Sequence, residues 1–67
     1  MTYELDLYAA PRRLVAVHLV DAPNGVTAAE VAGDDLAASG ADFAEVYAPD
    51  GTGSNWFYAT VQAATAR

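Results

Sequence analysis

The sequence contains no cysteine and no lysine, and it has a single histidine, His18. Without thiols, disulfide bridges and thiolate zinc sites are excluded. His18 is not accompanied by carboxylates at a convergent spacing, so we interpret it as an ordinary sheet residue. No nucleotide-binding or metal-binding motif is present. The sequence therefore predicts no catalytic residue, no metal and no cofactor, and an enzyme is not expected.

Positive charge is also scarce. There are three arginines, Arg12, Arg13 and Arg67, and nine acidic residues, which gives a net charge of −6 at pH 7. Binding to a phosphate backbone requires clustered cations that displace counterions, so no nucleic acid is expected as a partner. An acidic surplus keeps a small protein soluble, and it also suits a basic protein partner.

Long apolar runs are missing as well. No segment reaches the length of a transmembrane helix. The N-terminal stretch carries Glu4 and Asp6, where a signal peptide would have basic and then apolar residues. We therefore expect no membrane contact and a cytoplasmic location. Abundant alanine, and arginine without lysine, indicate a GC-rich genome of a bacterium or a phage.

What the sequence does contain is a succession of short periodic segments. Two of them alternate apolar and polar residues, and one is β-branched and almost continuously apolar, as strands are. The predicted strands are residues 2–8, 14–20, 41–48 and 56–62, and the predicted helix is 28–39. This order predicts an α+β fold, a small β-β-α-β-β domain with one mostly antiparallel four-stranded sheet and a single helix on one face.

The whole chain, residues 1–67, is expected to form this single domain, because 67 residues supply only one modest core. Gly, Asp and Ser in residues 49–55 predict a hairpin turn between the last two strands. Residues 62–67 are expected to fray, as chain ends without packing partners do.

End signals delimit the helix. Thr27 with Glu30 three residues later forms a capping box, which predicts that Thr27 is the N-cap. Gly40 is suited to the left-handed conformation that ends many helices. The helix is therefore predicted to run from residue 28 to residue 39.

An unusual acidic segment lies within this helix. Gly33 is followed by Asp34 and Asp35, which are poor helix formers and oppose the helix dipole in its later half. Adjacent helix positions diverge by about 100°, so the two carboxylates are not expected to form a catalytic pair. Two interpretations stay open: the helix breaks at this point, or the acidic surface contacts a partner.

A single helix can cover only one face of the sheet. Acidic side chains are not expected beneath it, so Glu4, Asp6 and Glu45 assign the alternating residues of their strands to the two faces. The other two strands are placed by their apolar residues. With Leu36 of the helix, the predicted core residues are Leu5, Leu7, Val15, Val17, Leu19, Ala44, Val46, Phe57, Ala59 and Val61.

The uncovered face then collects most of the aromatic side chains. Trp and Tyr often anchor protein interfaces, and a contiguous apolar patch is unusual on a monomer. A plainer interpretation is that aromatic residues simply favour strands. The predicted protein-binding residues are Tyr8, His18, Phe43, Tyr47, Trp56 and Tyr58 on this face, together with Asp34 and Asp35 on the helix.

These features favour a small acidic protein-binding module, such as an inhibitory or accessory factor of phage type. The alternative is a structural homo-oligomer, in the simplest case a homodimer, whose uncovered sheet face is the subunit interface. A third hypothesis is an RNA-recognition-like sheet that stacks bases on its aromatic residues, which the arrangement suits and the charge opposes.

Overall fold

The computed structural model describes residues 1–49 and 55–63, and within these ranges it contains four strands and one helix. The elements are β1 (Thr2–Ala9), β2 (Arg13–Asp21), α1 (Gly25–Ser39), β3 (Phe43–Pro49) and β4 (Asn55–Gln62). The four strands form one sheet in the order β2-β1-β3-β4, and every neighbouring pair is antiparallel. The predicted α+β class and β-β-α-β-β order are confirmed.

The strand order follows from the helical connection. β1 and β2 form a hairpin, and α1 then carries the chain across β1, so that β3 pairs with the other edge of β1. β4 returns beside β3 and becomes the outer strand on that side. As a result β2 and β4 are the two edges of the sheet.

The helix begins three residues earlier than predicted. Its N-cap is Asn24, whose side-chain oxygen accepts a hydrogen bond from the Thr27 N–H at 2.9 Å. Asn is at least as effective an N-cap as Thr, so the helix starts after Asn24. At the other end Gly40 has φ 76° and donates its N–H to the carbonyl of Leu36 at 2.9 Å, as the sequence predicted.

The helix is continuous through Gly33, so the predicted alternative of a break at the acidic segment is wrong. Asp35 instead points to the sheet, where its Oδ2 lies 2.9 Å from Nδ1 of His18 on β2. Asp34, its neighbour, is exposed. The two carboxylates therefore have different surroundings, as their angular separation on a helix requires.

The core lies between α1 and the two central strands. The helix contributes small side chains, Ala28 and Ala32, and one large one, Leu36, so that it approaches the sheet closely. Leu7 and Leu36 are buried, as predicted. The buried sheet residues beneath the helix are Tyr3, Leu5 and Leu7 from β1 and Ala44, Val46 and Ala48 from β3.

Two other predicted core residues are exposed. Val17 of β2 lies opposite Asp6 and is 49% exposed, and Phe57 of β4 lies opposite Tyr47 and is 51% exposed. Both therefore lie on the face away from the helix. Val15 and Leu19, predicted with Val17 to be core, are also exposed.

The cause in β4 is a register shift between Val46 and Tyr47 of its neighbour β3. Ala59 pairs with Val46 and Phe57 pairs with Tyr47, which leaves Tyr58 as an additional residue, as in a β-bulge. Tyr58 lies on the helix side, since a Cβ atom at Gly25 would overlap its ring. Gly25 is therefore needed where the ring crosses the first turn of the helix.

At the C-terminal end the chain stays paired through Ala63, whose N–H donates to the carbonyl of Asp42 at 3.0 Å. The remaining residues of the tail that was expected to fray, and most of the predicted 49–55 turn, lie outside the described residues. Within the described residues, α1 is too short and too polar to cross a membrane.

Candidate protein-binding surface

The side of the sheet that α1 does not cover is the candidate site. In β1 the buried residues alternate with Glu4, Asp6 and Tyr8, which consequently point away from the helix. Residues directly opposite these three on β2 and β3 share their face, and the pairing of β3 with β4 adds three more. We call this surface the open face, and its members are Glu4, Asp6, Tyr8, Leu14, Val17, Leu19, Phe43, Glu45, Tyr47, Phe57, Thr60 and Gln62.

Aromatic pairs lie on two sides of the open face. The rings of Tyr8 and Phe43 are stacked, with centroids 5.0 Å apart and planes at 14°. Tyr47 and Phe57 meet edge to face, with centroids 5.8 Å apart and planes at 75°. Both geometries are favourable for aromatic rings, and they hold the four side chains in fixed positions before any partner arrives.

A cation is built into this surface. The guanidinium group of Arg12 binds both carboxylate oxygens of Glu45, with Nη1–Oε2 at 2.9 Å and Nη2–Oε1 at 3.0 Å. Its carbon lies 4.8 Å from the centre of the Tyr8 ring, a cation–π distance. The hydroxyl of Tyr47 donates a further hydrogen bond to Glu45 Oε1 at 2.9 Å. Glu45 is nearly buried, and the hydrogen bonds from Arg12 lower the pKa of its carboxyl group despite that burial.

The neighbouring carboxylate has the opposite environment. Asp6 lies between Glu4 and Glu45, and its buried Oδ1 accepts no hydrogen bond from any described residue. Burial, followed by a hydrogen bond to Glu4 and the negative charges of Glu4 and Glu45, raises the pKa of Asp6 from 3.8 to about 6. Of the three carboxylates at the centre of the open face, Glu45 is thus neutralised by Arg12, and Asp6 has no cation beside it among the described residues.

Aliphatic side chains of β2 complete the surface on its outer side. Leu14, Val17 and Leu19 are 51%, 49% and 69% exposed. Together with half-exposed Phe57 on the other edge, they surround the acidic centre with apolar area. Large apolar side chains exposed on one continuous face are typical of an interaction surface.

Three predicted members of this surface lie on the other side of the sheet. His18 is opposite the buried Leu5 and is bound to Asp35 of the helix. Trp56 is opposite the buried Ala48, and it meets Tyr58 edge to face at 6.1 Å. The structure therefore corrects the placement of His18, Trp56 and Tyr58, whereas Tyr8, Phe43 and Tyr47 lie on the open face.

The sequence interpretation placed three of the open-face side chains in the core, namely Val17, Leu19 and Phe57. In β2, apolar residues occupy both faces, so alternation alone does not identify the outer one. In β4, Trp56, Phe57 and Tyr58 are consecutive aromatic residues, and the bulge changes their phase. The sequence did contain an indication of which face of β2 points to the helix. His18 is the only polar residue between the ends of β2, and its partner Asp35 lies on the helix.

The acidic helix surface is smaller than predicted. The carboxylate of Asp35 is bound to His18, so Asp34 is the exposed member of the pair. Among residues 1–49 and 55–63, no group of three or more His, Asp or Glu side chains is arranged to hold a metal ion.

No family model matches this chain, and comparisons with curated proteins and with solved structures found no match either.

Proposed function

We propose that the protein is a small acidic binding module that recognises another protein through the open face. The observation that carries the proposal is the combination of exposed Val17, Leu19 and Phe57 with a central carboxylate, Asp6, whose Oδ1 has no hydrogen-bond partner among the described residues. Burial of apolar area supplies binding affinity, and a charge buried in the interface favours partners that carry the opposite charge.

The partner we propose presents apolar side chains around a lysine or arginine. A cation placed next to Asp6 would give its carboxylate the hydrogen bonds that Glu45 receives from Arg12. It would also return the pKa of Asp6 towards its ordinary value. The net charge of −6 adds long-range attraction for such a basic partner and speeds its association. In this proposal the protein acts as an accessory or inhibitory factor in the cytoplasm by binding such a partner.

The two other hypotheses fit the open face less well. In a face-to-face homodimer, Glu4 and Asp6 of one copy would approach the same residues of the other, and buried like charges are costly. An RNA-recognition-like sheet would use the aromatic pairs for base stacking. Its bound phosphates would then lie near three carboxylates, of which Arg12 neutralises only one. The RNA-recognition-like hypothesis predicts RNA binding, which the following experiment measures directly.

The experiment measures binding of defined, fluorescently labelled probes by anisotropy. The probes are a hairpin peptide that alternates Lys with Leu and Val, the same peptide with Glu for Lys, and a single-stranded RNA. We expect the basic peptide to bind and the other two not to bind. Leu19→Asp and Asp6→Asn should each weaken the binding of the basic peptide by about tenfold, the effect of losing one good apolar or charge contact.

The matched controls are Val26→Asp and Asp34→Asn, at exposed positions on the helix. If the peptide is attracted only by the net charge of −6, Asp6→Asn and Asp34→Asn will weaken its binding equally, and Leu19→Asp and Val26→Asp will not weaken it. Preference for the acidic peptide or for RNA would contradict the proposal directly.

A further inference from the structure

The junction between β2 and the helix contains two residues that can react with each other. Asn24 is exposed, and it is followed by Gly25, which has no side chain to shield its backbone nitrogen. Gly25 is the first residue of α1, so its N–H has no acceptor within the helix. A backbone nitrogen in this position can attack the side-chain carbonyl carbon of the preceding asparagine.

The reaction needs only water as a second reactant. The Gly25 nitrogen forms a bond to Cγ of Asn24, the bond from Cγ to the side-chain nitrogen breaks, and ammonia leaves with the proton of the Gly25 N–H. The product is a five-membered cyclic imide. Water then opens the ring. Cleavage between Cγ and the Gly25 nitrogen gives aspartate, and cleavage between the backbone carbonyl carbon and that nitrogen gives isoaspartate.

The folded protein holds Asn24 in a conformation that does not allow the ring to close. Closure requires Cβ of Asn24 and the Gly25 nitrogen to be nearly eclipsed about the Cα–C bond, because both atoms belong to the ring. At the ψ of 171° that Asn24 adopts, they are staggered. Oδ1 of Asn24 accepts a hydrogen bond from the Thr27 N–H at 2.9 Å, and its carbonyl accepts one from the Ala28 N–H at 3.2 Å. Rotation about the Cα–C bond therefore breaks at least one of these two bonds.

Tyr58 restrains the same junction from the sheet. Gly25 is buried, and a Cβ atom there would overlap the Tyr58 ring, so this ring lies directly on the first turn of the helix. Because Tyr58 belongs to β4, the first turn is attached to an edge of the sheet. Gly25 has to leave the ring before its nitrogen can reach Cγ of Asn24.

From these contacts we propose that Asn24 is a modification site that the N-cap of α1 controls. It converts to aspartate and isoaspartate through the cyclic imide when the first turn of the helix opens, and it is protected while the turn is closed. Asn24 lies outside the open face, so this inference does not depend on the proposed function.

The two products have opposite effects on the helix. Aspartate is as effective an N-cap as asparagine, and its charge suits the positive end of the helix dipole. The first turn of α1 contains no other acidic residue. Isoaspartate adds one carbon to the backbone and removes one from the side chain, so its carboxylate is no longer placed to accept the Thr27 N–H. Conversion therefore either preserves the cap with an added negative charge or destroys it.

Peptide mapping by mass spectrometry measures the conversion of each asparagine while the protein is incubated in mildly alkaline buffer. Asn55, the other asparagine of the chain, is the internal control. It is also exposed, but the residue after it is Trp56, whose side chain hinders the attack. We expect Asn24 to convert slowly in the folded protein and faster in denaturing urea, and Asn55 to stay unchanged.

No conversion of Asn24 under native conditions, or conversion of Asn55 at the same rate, would refute the modification site. Equal rates of Asn24 conversion with and without urea would refute its control by the fold.

Two variants test the two restraints separately. Thr27→Pro removes the N–H that binds Asn24, at a first-turn position where proline is tolerated, and should speed conversion about fivefold, the effect of losing one helix cap. Tyr58→Ala removes the ring from Gly25 and should also speed conversion. Phe57→Ala, at the neighbouring position on the opposite face, is the matched control and should leave the rate unchanged. If Thr27→Pro does not fold by circular dichroism, Tyr58→Ala decides, and a rate equal to that of wild type would overturn the inference.

Asn24→Asp reproduces the aspartate product. Its Tm at neutral pH should be at least equal to that of the wild-type protein, because the cap is kept and a favourable charge is added. A lower Tm would contradict the claim that this product preserves the helix.

Discussion

Replacing Asp6 with asparagine should stabilise the folded protein at neutral pH. The pKa of Asp6 is raised from 3.8 to about 6 by burial and by the hydrogen bond and charge of Glu4. The folded protein therefore binds a proton at Asp6 more readily than the unfolded chain does between about pH 4 and pH 6. By linkage, stability falls as the pH rises through this window, and the loss is complete above it. Asparagine has nearly the same shape and no charge, so it removes this loss.

The size of the effect follows from the shift. A rise of about two pKa units corresponds to about 3 kcal/mol if the whole shift acts on folding. Asp6 is only partly shielded from water, and screening reduces the expected gain to about 1–2 kcal/mol at pH 7. For a domain of this size, each kcal/mol raises Tm by about 4–8 °C. The asparagine amide can in addition donate a hydrogen bond to Glu4, in place of the proton that Asp6 must take up.

Urea denaturation followed by circular dichroism at pH 4, 5, 6 and 7 measures the free energy of unfolding. The gain from Asp6→Asn should be largest at pH 7 and should shrink towards pH 4. Asp34→Asn, the same change at an exposed helix position, is the control and should leave stability almost unchanged at every pH. If Asp6→Asn destabilises the protein at pH 7, or if its gain does not depend on pH, Asp6 does not experience the repulsion described above.

Three further outcomes are expected. Leu36→Ala should lower the free energy of unfolding by about 2–5 kcal/mol in chemical denaturation, as truncation of a buried leucine does. Leu19→Ala, at a position 69% exposed, should lower it little. Equal losses would contradict the assignment of the two faces. Gly25→Ala should lower Tm because its new methyl group overlaps the ring of Tyr58, and adding Tyr58→Ala should restore the loss; a Gly25→Ala variant as stable as wild type would disprove that close packing. A labelled RNA should show no micromolar anisotropy change at low salt, where repulsion by the net charge of −6 is strongest; binding that weakens with added salt would favour the RNA-recognition-like hypothesis.

The sequence alone determined the class of the fold and the phase of two strands. In β1 and β3, acidic residues alternate with apolar ones, and a carboxylate is too costly to place beneath a helix, so Glu4, Asp6 and Glu45 had to point outwards. That argument also placed Tyr8, Phe43 and Tyr47 on the open face. The helix and its end at Gly40 followed from local backbone preference, which does not depend on what the helix packs against.

Tertiary structure decided the phase of the two edge strands. β2 is apolar on both sides, and its outer face was settled by pairing with β1 and by the bond between His18 and Asp35. In β4 the bulge at Tyr58 moved Phe57 to the open face and Trp56 to the helix side. Edge strands are held on one side only, so their alternation is weakly specified by their own residues and is set by the neighbouring strand and the helix.

The chemistry of the open face likewise required contacts between residues distant in sequence. Arg12 and Glu45 are separated by the second strand and the helix, and nothing in the local sequence of either residue predicts their ion pair. Within the described residues, their pairing leaves Glu4 and Asp6 as the open-face carboxylates without a cation. Composition determined that the protein is acidic, but only the alignment of β1 between β2 and β3 decided which open-face acid binds a cation and which acid has its pKa raised.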